Sequence, residues 1–139
     1  MATTIIPRTN NMTGFSLLEL LFVMAIISLI SALAYPAYQT YLQQTRRTTA
    51  QAELLHLANV MERHYLEHFS YDLSAQNTTL PFTRSPRQGK PVYYHFTVDY
   101  GERFYLLSAT PMGAQTADRC GIMTLNHAGQ RQAERLDCW

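Results

Sequence analysis

Residues 14–36 read GFSLLELLFVMAIISLISALAYP, and the architecture turns on this stretch. From Phe15 to Tyr35 it runs for 21 residues with a single charge, Glu19. At 1.5 Å per residue a helix of that length spans about 31 Å, close to the hydrocarbon thickness of a bilayer. The sequence therefore joins one membrane-length helix to one small head of mixed composition. The whole chain agrees: 139 residues, 47% apolar, with 11 Lys and Arg against 10 Asp and Glu and a formal charge of +1. The length excludes a large multidomain enzyme. A near-neutral balance excludes a molecule-wide field for polyanions and leaves any charge-driven role to a local patch.

A secretory signal fits the same residues, with 1–14 as n-region, Leu20 to Ile30 as h-region and Ala32-Leu33-Ala34 as cleavage site. Two features weigh against it. Arg8 is the only basic residue ahead of the run, and Glu19 would cost about 2.5 to 3.5 kcal/mol at a helix centre, less near an end. A mere export signal has no use for that cost. Arg46 and Arg47 follow the span closely, and the positive-inside rule would keep them cytoplasmic. A long domain translocates despite such charges, and Cys120 and Cys138 suit an oxidising compartment, so the head is expected outside.

Beyond Pro36, which fits a helix kink, Ala37 to His68 contains no Gly or Pro. Ala50, Leu54, Leu57, Met61 and Tyr65 recur at helical spacing and predict an apolar stripe that needs a partner layer. Residues 69–91 turn to Ser, Asn, Thr, Pro and Gly and predict a connecting loop. Val92, Tyr94, Phe96, Val98 and Tyr100 then alternate with polar residues, Gly101-Glu102 supplies a turn, and Phe104 to Thr110 predicts the returning strand. A third strand is expected at Gly121 to Asn126, with a turn at His127-Ala128-Gly129 and a short return through Gln130 to Gln132. Three or four antiparallel strands would cover the stripe, giving an α+β head at 36–139 built of helix 36–68, loop 69–91 and a sheet region 92–139.

The order Gly14-Phe15-Ser16-Leu17-Leu18-Glu19, apolar run, Pro36 resembles the class III signal of type IV pilins and the related pseudopilins. Glu19 is fifth and Pro36 twenty-second when counting starts at Phe15. The stretches 80–83, 109–115, 119–121 and 124–129, with the ending Cys138-Trp139, are similar to minor type IV pilins encoded in pilus assembly clusters. Two positions depart from the pattern: the leader 1–14 holds only Arg8, with Met12 an alternative start, and Ser28 stands where many pilins have Gly.

The resemblance implies a pilin fold and an assembly role: a minor pilin, structural subunit of a type IV pilus, acting in pilus assembly or priming and supporting twitching motility, adhesion or DNA uptake. It implies cleavage between Gly14 and Phe15 by a prepilin peptidase and methylation of the Phe15 amine. A glycine suits a scissile bond because, without a Cβ, it approaches a buried active site closely. It further implies that Glu19, a carboxylate that needs a partner in apolar surroundings, meets the Phe15 amine of a neighbouring subunit in the fibre. The implied partners are other pilin subunits, the peptidase, the inner-membrane assembly machinery and the membrane. The implied location is the inner membrane, then the surface pilus, of a bacterium of Gram-negative type.

Cys120 and Cys138 enclose residues 121–137, a loop whose closure by a disulfide contributes roughly 3 kcal/mol. Two buried thiols or half a metal site are the alternatives, although the spacing matches no zinc pattern. No cofactor and no enzymatic motif is expected. His64 and His68, one helical turn apart, lack a third ligand and predict solvated helix-face histidines. A second functional class rests on Arg84, Arg87 and Lys90, which lie in a stretch with no acidic residue between Asp72 and Asp99 and are flanked by Phe82, Tyr93 and Tyr94. Cations beside aromatics can hold nucleic acid, the chemistry of a DNA-binding competence pilin, and the alternative that the residues favour is a solvated loop. A pseudopilin of type II secretion is the third reading, against which the cysteine pair argues.

Overall fold

The computed structural model describes residues 14–139. The leader as far as residue 13, with Arg8 and Met12, lies outside the described residues. The chain divides into two compact units with the boundary between Tyr38 and Gln39. A single helix, α1 (Leu17–His68), makes up most of the described part of the first unit and one layer of the second.

In the first unit every described side chain is exposed. Leu17, Leu20, Phe22, Ile26, Leu29 and Leu33 are all more than half exposed, so among the described residues no protein layer covers the apolar run. Its most apolar 18-residue window has a mean hydropathy of 2.5. A helix so apolar all round belongs in lipid or among other apolar helices. Pro36 lies inside α1, with helix on either side.

In the second unit α1 lies on a five-stranded antiparallel sheet whose strands follow in chain order: β1 (Arg84–Ser85), β2 (Tyr94–Tyr100), β3 (Tyr105–Pro111), β4 (Met123–Asn126) and β5 (Arg131–Gln132). The predicted stripe forms the seam, since Ala50, Leu54, Leu57 and Met61 are fully buried against Tyr94, Phe96, Leu107, Ala109 and Met123. Full burial of each such Leu, Phe or Met side chain stabilises by about 1.5 to 3 kcal/mol. The alternation in β2 holds, with Tyr94 and Phe96 inward and His95 and Thr97 outward.

Three expectations change. The segment 69–91 is not all loop: it holds a 3-10 turn at Ser74–Gln76 and the strand β1, which raises the strand count to five. The hairpin strands begin one or two residues later than predicted, because Tyr93 is taken up by Ser85 and Phe104 closes the turn. The Phe104 ring lies where a Cβ on Gly101 would stand, so a side chain at that position would have to displace the ring. His64 is buried, not solvated: its ring stacks on that of exposed His68 at 4.4 Å, and its Nε2 faces the Asp72 carbonyl at 3.4 Å. Among the described residues no group of three or more His, Cys, Asp or Glu is arranged to hold a metal ion.

Candidate functional site

The head carries two groups of side chains beyond its apolar core, one that fastens its C-terminal segment and one that offers cations at the surface. The first centres on Asp118, whose side chain is almost fully buried. Its Oδ1 accepts from the Arg47 guanidinium at 2.6 Å and its Oδ2 from the Tyr94 hydroxyl at 3.1 Å and the Gln115 amide at 2.8 Å. The same Gln115 amide also donates to the Gln43 carbonyl at 3.0 Å. A buried carboxylate persists only when paired and hydrogen-bonded, and here helix, β2 and the 113–118 turn all contribute. Burial holds the Tyr94 phenol protonated well above its usual range, with Asp118 acting in the same direction.

Cys120 and Cys138 form a disulfide with a Cα separation of 5.7 Å, within the ordinary range. The Gln51 amide donates to the Cys138 carbonyl, so the bridge is also tied to α1. Gly121 turns the chain beside it with φ +53°, and a Cβ there would overlap the Glu134 side chain. Arg119 and Arg135 both reach the exposed Asp137 carboxylate, at 2.8 and 3.3 Å, and hold it below the usual carboxylate range, the Arg135 hydrogen bond first.

The second group lies around β1 and the loop that follows. Arg84, Arg87 and Lys90 are all exposed, as the sequence predicts. Arg87 is nevertheless engaged: its guanidinium sits 3.9 Å above the Phe82 ring and its Nε is 3.4 Å from Glu53. Arg84 Nε donates to the Arg87 carbonyl at 3.4 Å. The expected aromatic flank is partly there. Phe82 and Tyr93 are half-buried, whereas Tyr94 is fully buried in the core and is removed from any binding surface. In its place comes a cation that sequence reasoning missed. Arg46 of α1 lies 3.9 Å over the Tyr93 ring, and the two line a shallow cavity of about 150 Å³ with Thr45, Thr49, Ser85 and Pro86. Only its helical position relative to the buried Ala50 could have signalled that Arg46 faces the β1 side.

In the first unit, Gly14, Phe15 and Glu19 are all exposed at the start of the apolar helix, and Glu19 lies in its first turn. These residues and Pro36 stand in the order the class III signal requires.

A lipid-length apolar helix carried on into an α+β head, with the chain end fastened by a disulfide, is the architecture of a type IV pilin. The chain belongs to the family described as type IV minor pilin ComP, DNA uptake sequence receptor, whose model matches residues 36–124. A second model, the prokaryotic N-terminal methylation motif, matches residues 9–35. Among solved structures the chain is similar to a type IV pilin from Shewanella oneidensis, with 29% identity and a TM-score of 0.53 over 70% of this chain and 97% of that one. It also shares the fold of the non-core minor pilin PilV of Neisseria meningitidis, at 21% identity and a TM-score of 0.50, covering 68% of this chain and 88% of that one. No curated protein sequence matches it. The chain is thus a minor type IV pilin, a member of a family whose fold is structural rather than enzymatic.

Proposed function

We propose that this minor pilin enters a type IV pilus through its apolar helix and presents a head that captures DNA for uptake. In this reading a prepilin peptidase cuts between Gly14 and Phe15, and the new Phe15 amine is methylated. The amine then pairs with Glu19 of a neighbouring subunit, while Pro36 kinks the helix between fibre core and head. The processed chain waits in the inner membrane of a Gram-negative cell, head outward, until the assembly machinery extracts it. Roles in twitching motility and adhesion follow from its place in the fibre.

The observation that carries the DNA reading is the exposed set Arg84, Arg87 and Lys90 with the half-buried Arg46, two of these guanidinium groups stacked on Tyr93 and Phe82, inside a segment matched by a family of DNA uptake sequence receptors. Guanidinium groups over aromatic faces remain free on one side for phosphate and pre-order the long side chains. The test is a mobility-shift titration of duplex DNA with the full chain in detergent, repeated over a range of salt. Four cations predict a log–log salt slope of about −3 to −4, falling by about 1 for each of Arg46→Ala, Arg84→Ala, Arg87→Ala and Lys90→Ala. An affinity and slope unchanged in the fourfold variant would contradict the assignment of DNA to this surface.

A further inference from the structure

We infer that the open edge of β2 receives an extended segment of another polypeptide as an added strand. β1 is only two residues long and pairs with Tyr94 and His95. One further bond, from the Phe96 N–H to the Thr83 carbonyl at 2.8 Å, continues that side of β2. On the opposite side β3 pairs with β2 without interruption as far as Tyr100. Backbone groups alternate in direction along a strand, so Val98 and Tyr100 point the way Phe96 does, away from β3. Among the described residues no bond engages the N–H or C=O of either residue on that side.

The edge opens into a groove of about 420 Å³ between β2 and residues 78–83. Strand edges are commonly blocked by Lys, Pro or a bulge, and Thr97 to Tyr100 carries none of these. The groove also states what it would accept. On the helix-facing side it offers the half-buried Val98 and Tyr100 with Leu73 and Leu80, which favour apolar side chains. On the outer side it offers Thr97, and the exposed Asp99 stands next to the groove on the same face of β2. Asp99 lies opposite Leu106 in β3 and has no ion pair among the described residues, so a cation directly across from it is the complementary charge. The occupant is therefore a short extended segment that alternates apolar and basic residues, bound chiefly through its backbone. This inference does not depend on the DNA reading, since it uses neither the Arg84 to Lys90 loop nor Arg46.

The test uses the full chain in detergent micelles and amide hydrogen exchange resolved by NMR. In the free protein the Val98 and Tyr100 amides should exchange far faster than that of Leu107, which lies inside the sheet. The probe is the acetylated, amidated pentapeptide Thr-Val-Lys-Val-Thr, whose two Val residues would pair with Val98 and Tyr100 and whose Lys would face Asp99. With free peptide at ten times its Kd, both amides should slow about tenfold. The same peptide N-methylated at both Val residues should give no slowing. Asp99→Lys should weaken the peptide about threefold and restore binding to the version with Glu in place of Lys. Amides already protected in the free protein, or protection equal for both peptides, would overturn the inference. Protection that rises with protein concentration alone would do so as well, by assigning the edge to a second copy.

Discussion

Glu19 concentrates the assembly argument at a single residue. A carboxylate in an apolar helix needs compensation, and the proposed processing at Gly14 would create one cation at the right depth, the Phe15 amine. Glu19→Ala should leave cleavage, membrane residence and head folding intact while reducing the amount of this subunit in sheared pili, normalised to its membrane level. Glu19→Gln should fail in the same way, because it keeps size and hydrogen bonding but not charge. Incorporation unchanged in both variants would remove the ion pair from the account. Cys138 makes a separate prediction about the head. Cys138→Ser should lower stability by roughly 2 to 5 kcal/mol in chemical denaturation, the usual range for a native bridge in a small exported domain. A loss below 1 kcal/mol would mean that the Asp118 network and the Gln51 contact hold the segment unaided. The disulfide was legible in the sequence, because two cysteines in a small head are rare enough to stand out, and Glu19 stands out as a lone charge in an apolar run. The Arg47, Gln115 and Asp118 network was not. Its members are 71 residues apart at the widest, and ordinary polar residues carry no local signal of long-range pairing.

Among the elements, the helix stripe and the β2 alternation were readable because burial imposes periods of 3.6 and 2 on the sequence. β1 was not, since Pro81 and Pro86 bracket it and a two-residue strand is fixed by its partner rather than by its own composition. His64 was misread for a related reason: it lies one residue before Tyr65, on the flank of the stripe, and is covered by the stacked His68 ring and the chain at Asp72, which the helical period does not announce. The seam between α1 and the sheet carries a prediction of its own. Glu62 on α1 accepts hydrogen bonds from Tyr71 at 3.0 Å and from Tyr105 of β3 at 3.0 Å. Burial, and then the Glu62 carboxylate, raise the Tyr71 pKa from its ordinary 10.0 to about 12, and the same causes raise that of Tyr105. The unfolded chain thus gives up these protons first, so their contribution is complete below about pH 10 and is lost as pH rises towards 12. Thermal unfolding followed across that window should show a falling Tm, and a double Tyr71→Phe, Tyr105→Phe variant should flatten the fall. At neutral pH Tyr105→Phe alone should cost about 1.5 to 3 kcal/mol, the usual net value of a hydrogen bond to a charged group.

For the molecule as a whole, the two units differ in kind: the described part of the first is an apolar helix whose one charge is Glu19, and the second is a head with an apolar core and exposed cations around β1. Intact-mass analysis of pili sheared from cells decides whether this chain is a processed subunit of a pilus. The account predicts that the fibres contain this chain beginning at Phe15, with one methyl group on its amine and the apolar helix retained. A mature chain beginning near Tyr35, or fibres that lack the chain while the membrane holds it processed, would contradict it.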